Sequence, residues 1–178
     1  HHANLIPWQM ACKDVGAHLR VIPMNRLGEL DLKEFGEMLT TKVKMIAVTH
    51  ISNSLGSINP IEEMIDMAHQ KGIPILVDGA QSVAHYPIDL QGLDVDFFTF
   101  SGHKLFGPTG IGVLYGKKQY LDKMQPIQFG GGMIKNVTFE KSIFSEVPQL
   151  FEAGTTNISG VIGLGAAIDY VNELNRDE

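Results

Sequence analysis

Phe97-Phe98-Thr99-Phe100-Ser101-Gly102-His103-Lys104 is the stretch on which the reading of this chain turns. Its apolar first half reads as a buried strand, and Lys104 stands at the mouth of that strand beside a hydroxyl, an imidazole and a glycine. Gly107-Pro108-Thr109-Gly110 and a second apolar run, Ile111 to Tyr115, follow at once. So short a connection predicts that the second run returns antiparallel to the first. Burial and cationic neighbours lower a lysine's pKa, which turns an ammonium into an amine nucleophile. The alternative is a surface lysine in a loop.

One strand earlier, Ile73-Pro74-Ile75-Leu76-Val77 ends on Asp78. A carboxylate directly after apolar strand residues is costly to bury without a partner. Asp78 can serve as an N-cap for a short helix or turn through Val83, or it can face a charged ligand. Gln81, three residues on, can aim its amide at the same place. An amine and an acid at the ends of two strands are what pyridoxal phosphate (PLP) needs: one for its aldehyde, the other to keep its ring nitrogen protonated.

Further outward, Val43 to Thr49 is an apolar run expected to form a strand buried on both faces. Before it lie a helix from Leu5 to Val15 capped by Asn4, a short strand from Ala17 to Pro23, and a turn from Asn25 to Glu29. Asp31 with Glu34 forms a capping-box pattern that opens a short helix to about Leu39. Asn59-Pro60 reads as cap and first-turn proline for a helix from Ile61 to Lys71, closed by Gly72. A strand from Val95 to Ser101 and a helix from Lys117 to Met124 are expected. Residues 126–154 read as irregular, with Gly130 to Gly132 a mobile or closely packed loop, and a long helix runs from Ser159 to about Leu174. Buried strands alternating with helices imply an α/β fold, a mostly parallel, mixed sheet sandwiched by helices. Ligands in such sheets sit at the carboxyl ends of strands, so Thr49, Asp78 and Ser101 should open on one crevice.

The 178 residues suit one domain with a substantial core, 44% of them hydrophobic, with 19 glycines and 8 prolines. A net charge of −6 argues against nucleic acid or an anionic membrane as partner, and no run reaches the roughly 18 apolar residues of a membrane span. The single cysteine, Cys12, excludes an internal disulfide and points to a reducing, cytoplasmic location. Cys12 lies at an apolar helix position and reads as a small hydrophobe. The chain starts without Met and stops in Asn172 to Glu178, inside a helical pattern, so a piece of a longer protein is expected.

Several other polar residues are candidates. Asn53, in His50-Ile51-Ser52-Asn53, can donate to a ring oxygen or a substrate carboxylate, or serve a tight turn. His50 reads as structural. Ser101 and His103 can bind phosphate oxygens, although Ser101 can equally make strand-end hydrogen bonds. Gly154-Thr155-Thr156-Asn157 precedes the last helix, where anions are attracted and where Asn157 or Ser159 can cap. His1 and His2 are either functional or the remnant of an affinity tag. A metal-dependent hydrolase built on His1, His2, His50 and Asp78 lacks any known ligand spacing.

Taken together, His1-His2-Ala3-Asn4 with Pro7-Trp8-Gln9, Thr49 to Asn53, Asp78 to Gln81, Ser101 to Gly112 and Phe151 to Thr155 resemble the SUF-type cysteine desulfurases and the selenocysteine lyases. These are class V aminotransferase-like PLP enzymes of fold type I, and the likeness runs in order along the whole chain. It implies a single partial domain over residues 1–178: the PLP-binding large domain without its N-terminal segment and its C-terminal small domain. By position, it implies that Lys104 holds the cofactor's aldehyde and acts as base, and that His1 stacks on the ring and helps move protons. Asp78 would pair with the ring nitrogen, Gln81 would contact the ring hydroxyl, Asn53 would sit near that hydroxyl or the substrate carboxylate, and Ser101 and His103 would bind the phosphate. Thr155 would reach the cofactor phosphate of a second subunit in a homodimer. The implied reaction converts L-cysteine to L-alanine and an enzyme persulfide for iron–sulfur cluster assembly, with a sulfur-acceptor protein as possible partner. The family's persulfide cysteine would lie beyond Glu178, and Cys12 does not match it. Thr156 stands where proline is common, and Gly132 where a polar residue is common. Selenocysteine lyase, another class V activity, and an inactive truncated domain are the alternatives.

Overall fold

The computed structural model describes residues 1–174; the last four residues of the terminal helical pattern, 175–178, lie outside that description. The main sheet runs in the order β1 (Ile46–Thr49), β2 (Ile75–Asp78), β3 (Phe97–Ser101) and β4 (Gly112–Gly116). The first three strands are parallel and β4 is antiparallel to β3, as the short Lys104-to-Ile111 connection requires. The helices are α1 (Ile6–Val15), α2 (Leu32–Met38), α3 (Ile61–His69), the single turn α4 (Lys118–Leu121) and α5 (Ile158–Glu173).

Register explains how core and crevice separate. Ile46 pairs with Ile75, Val48 with Val77, and Val77 with Phe98. Side chains alternate across a strand, so these residues share one face. There Phe35 of α2, Met64 and Ile65 of α3, and Leu164 and Val171 of α5 pack into one buried cluster. Fully burying each such side chain is worth about 1.5–3 kcal/mol. The opposite face carries Thr49, Leu76, Asp78 and Thr99, which border a cleft also lined by α1 and the 3₁₀ turn His2–Asn4, while Phe97 on the same face packs against Tyr120 of α4. The expectation that β1 is buried on both faces is therefore corrected: alternate residues are only half-buried, because the second face borders a cleft.

Several local readings also change. Ala17 to Pro23 is not a strand; among the described residues no strand pairs with it. Asn4 does not cap α1, since its Oδ1 accepts from the Trp8 indole N–H at 2.9 Å. Asn59 does not cap α3 either. The helix expected from Lys117 to Met124 is one turn, and β1 and β3 start later than their apolar runs. Residues read as irregular contain a hairpin, β5 (Ile134–Val137) with β6 (Ser142–Phe144). Asp31 caps α2 by accepting from Glu34 N–H at 3.0 Å, and Asn157 caps α5 by accepting from Gly160 N–H at 3.0 Å.

The amino end of the sheet is tied by a carboxylate that the sequence reading passed over. Asp96, 1% exposed, accepts from Ile75 N–H and meets His69 Nε2, each at 2.9 Å, and Lys117 Nζ at 3.0 Å. Thus one side chain links the starts of β2 and β3, the end of α3 and the exit of β4.

Candidate active site

The crevice expected at the carboxyl ends of the parallel strands is a 610 Å³ cleft. A cavity of that size accommodates a small organic ligand. Its floor is the non-core face of β1–β3, where Thr49, Asp78 and Thr99 stand in register. Its roof is Trp8 on α1, fixed by Asn4, together with His1, whose Nδ1 accepts from Ala3 N–H at 3.1 Å.

Asp78 is 9% exposed, and its Oδ1 accepts from Ala80 N–H at 3.0 Å. The capping role and the cleft role of Asp78 are thus compatible, because one carboxylate oxygen takes the turn. Gly79 is required next to it: a Cβ there would lie 1.9 Å from Cζ of Phe98, which is 2% exposed in the core. Gly79→Ala is expected to cost about 1–3 kcal/mol by overpacking, read as a lower urea midpoint; an unchanged midpoint would show that the Phe98 ring can move aside.

Lys104 is delivered by the 3₁₀ turn Gly102–Leu105 that continues β3. Leu105 is buried in the core cluster, so the neighbouring Lys104 side chain reaches the cleft instead. The turn is tight. Gly102 N–H donates to the Ile111 carbonyl at 2.9 Å, and a Cβ on Gly102 would meet that oxygen at 3.1 Å. Neither Lys104 nor Asp78 joins an ion pair among the described residues.

Of the residues singled out from sequence, His1, Asn53, Asp78, Gln81, Ser101, His103 and Lys104 all line this one cleft. Ser101 makes no side-chain capping bond to the turn that follows it. Thr155 does not line the cleft; it is exposed in the segment before α5. Cys12, half-buried in α1, does not line it either. Among the described residues, no three His, Cys, Asp or Glu side chains are gathered to hold a metal ion, and no helix is long and apolar enough to cross a membrane. Thr49 opens on the cleft as expected, whereas the reading missed Thr99 as a floor residue, although its alternation with core positions was the available signal. It also missed Trp8, four residues from Asn4 and so on the same helix face.

The aminotransferase class-V family profile matches residues 1–178. The chain belongs to the aminotransferase class-V family. Among its relatives, a cysteine desulfurase of Synechococcus elongatus is 51% identical over 177 residues, covering 99% of this chain and 28% of the relative. A cysteine desulfurase of Escherichia coli K12 is 54% identical over 175 residues, covering 98% of this chain and 43% of the relative. Among solved structures, the E. coli cysteine desulfurase CsdA in its S-sulfonic acid form superposes with a TM-score of 0.96 at 42% identity, over 99% of this chain and 44% of that one. The apo cysteine desulfurase of Thermococcus onnurineus NA1 gives 0.94 at 40% identity, over 99% and 44%. This class-V chain therefore spans less than half the length of these relatives.

His50, the residue that follows β1, is half-buried. Its Nδ1 is buried without a hydrogen-bond partner among the described residues, and its ring lies 6.2 Å from that of Tyr86. Burial lowers its pKa below the ordinary 6.5, against an opposing pull from Glu62. The folded state thus holds the proton less tightly than the unfolded chain. The stability this contributes is complete above 6.5 and is lost as pH falls from there through the folded pKa. Urea unfolding at about pH 7.5 and about pH 5.5 should show a smaller acid loss in His50→Gln than in the wild type. Equal losses in the two proteins would remove His50 from this account.

Proposed function

We propose that the cleft binds PLP and that the full protein carrying this chain is a cysteine desulfurase. Its reaction takes L-cysteine to L-alanine, with the sulfur passed to a protein cysteine as a persulfide. The observation that carries the cofactor reading is that Lys104 and Asp78, an amine and a carboxylate, line one cleft of suitable volume on the carboxyl ends of parallel strands. Support for L-cysteine as substrate comes from the relatives at 51% and 54% identity, named cysteine desulfurases.

The residues fit the group. Asp78, with Oδ1 committed to Ala80, has its second oxygen for a protonated ring nitrogen. Gln81 and Asn53 offer amide N–H groups to a ring oxygen, while Ser101 and His103 offer donors to a phosphate. Lys104 would hold the aldehyde, and its Nζ is the group that would accept a substrate α-proton. His1, lining the same cleft, would stack on the ring and help move protons. When bound, PLP supplies an electron sink for the negative charge left at the α-carbon. Cys12 lies outside the cleft and is not given the sulfur-receiving role. Thr155, exposed ahead of α5, serves the phosphate of a second copy's cofactor in a homodimer. The setting is cytoplasmic, and a sulfur-acceptor protein relays sulfur toward iron–sulfur cluster assembly.

The test is turnover by the full-length protein of L-cysteine against L-selenocysteine, with alanine as the readout. Alanine and persulfide from L-cysteine support the proposal. Alanine from selenocysteine alone assigns a lyase, and amino-group transfer without alanine assigns another class-V activity.

A further inference from the structure

At the carboxyl end of β1 the chain leaves through His50, makes the loop 51–58 that carries Asn53, and returns at Asn59. Asn59 is 6% exposed, and its side chain turns away from α3 toward the strand. Its Nδ2 donates to the Thr49 carbonyl at 2.8 Å, and its backbone N–H donates to the His50 carbonyl at 2.8 Å. The same two residues are bonded on their other side to β2. His50 N–H donates to the Asp78 carbonyl at 2.9 Å, and the Thr49 hydroxyl reaches it at 3.4 Å. The loop itself is closed by an antiparallel bridge between Ile51 and Ile58 and by Ser52 N–H donating to the Ser57 carbonyl at 3.0 Å. Both of its stems therefore meet at one buried residue, two hydrogen bonds from Asp78 through Thr49 or His50.

We propose that Asn59, which does not line the cleft, is a positioning residue for it. By pinning the loop stems to the end of β1, Asn59 holds Asn53 and Asp78 at the spacing at which both reach one ring. The inference rests on the PLP reading above. It differs from a helix-cap role, which would stabilise α3 and leave the cleft unchanged.

The experiment titrates PLP into the full-length protein, following the absorbance of the bound cofactor, with hydrogen exchange of the backbone measured alongside. Asn59→Ala and Asn59→Ser, the latter keeping a shorter donor, are compared with His69→Ala, which loosens the far end of the sheet. Asn59→Ala is expected to weaken PLP binding about tenfold, Asn59→Ser less, and His69→Ala by under about twofold. Amides of residues 51–58 should exchange faster only in the Asn59 variants. Equal weakening in Asn59→Ala and His69→Ala, or none in either, overturns the proposal. If Asn59→Ala does not fold, the comparison of Asn59→Ser with His69→Ala decides on the same terms. A wild type that takes up no PLP refutes the cofactor reading instead. Exchange then judges Asn59 alone: faster exchange in both 51–58 and 78–82 supports the clamp, and unchanged exchange overturns it.

Discussion

Alanine at position 104 is expected to abolish turnover of L-cysteine by the full-length protein while leaving its fold in place. The backbone of the 3₁₀ turn is held by Leu105 in the core and by Gly102 N–H on the Ile111 carbonyl, and neither bond involves the lysine side chain. Lys104 makes no ion pair among the described residues, so its truncation should change stability by within about 0.5 kcal/mol. Chemically the loss is severe, because Lys104 is the one lysine among the residues lining the cleft. A positioned acid–base group alone contributes about 10²–10⁴-fold, and Lys104 is also the proposed attachment point, so a drop of at least about 10³-fold is expected. Borohydride treatment of the PLP-loaded protein, followed by denaturation and peptide mass analysis, should find the label on Lys104 in the wild type and none in Lys104→Ala. Label on another lysine of the variant, or retained turnover, would refute the assignment.

Asp96→Ala should act oppositely, by loosening the fold at the end of the sheet farthest from the cleft. The variant removes the acceptor of Ile75 N–H and the carboxylate facing His69 and Lys117. Asp96 is 1% exposed, whereas the Lys117 side chain, at 20%, retains some water. The expected cost is about 3 kcal/mol, at the low end for breaking a buried pair, and is seen as a lower urea midpoint with the m-value unchanged. Asp94→Ala is the contrast: its carboxylate is 66% exposed and should matter far less. The alkaline and acid limits follow from the same groups. Burial pulls the Lys117 pKa down, but hydrogen bonds to Asp94 and Asp96 carry it above the ordinary 10.5. Its contribution is complete below 10.5 and fades as pH rises through the folded pKa. The hydrogen bond from Lys117 lowers the Asp94 pKa, so that contribution is present above 3.8 and lost as pH falls through the folded value. A midpoint for Asp96→Ala equal to wild type would mean that Lys117 and His69 find water as readily as they find Asp96.

Asp78 was legible because it is a charged residue placed directly after an apolar strand run, a position that elementary burial costs make conspicuous, and Lys104 because it stands in the short turn that leaves the next such run. The antiparallel return of β4 was legible for a similar reason, since the connection from Lys104 to Ile111 is too short for a crossover. Asn4 and Asn59 misled because asparagine before a helix is a cap by local chemistry, whereas here each amide meets a group that folding brings near. Asp96 gave no local sign: its partners are His69, Ile75 and Lys117, and only the closed sheet gathers them.

The order of strands and helices, the class of the sheet and the polar residues at strand ends were written in the chain itself, because apolar runs, glycines and turns act over a few residues. Which face of the sheet became the core and which became the cleft was decided by the tertiary structure. Pairing Thr49 with Asp78 and Asp78 with Thr99 puts one alternating set of side chains against α2, α3 and α5 and leaves the other set under α1. That choice depends on register between segments some 20–30 residues apart, which no local pattern encodes.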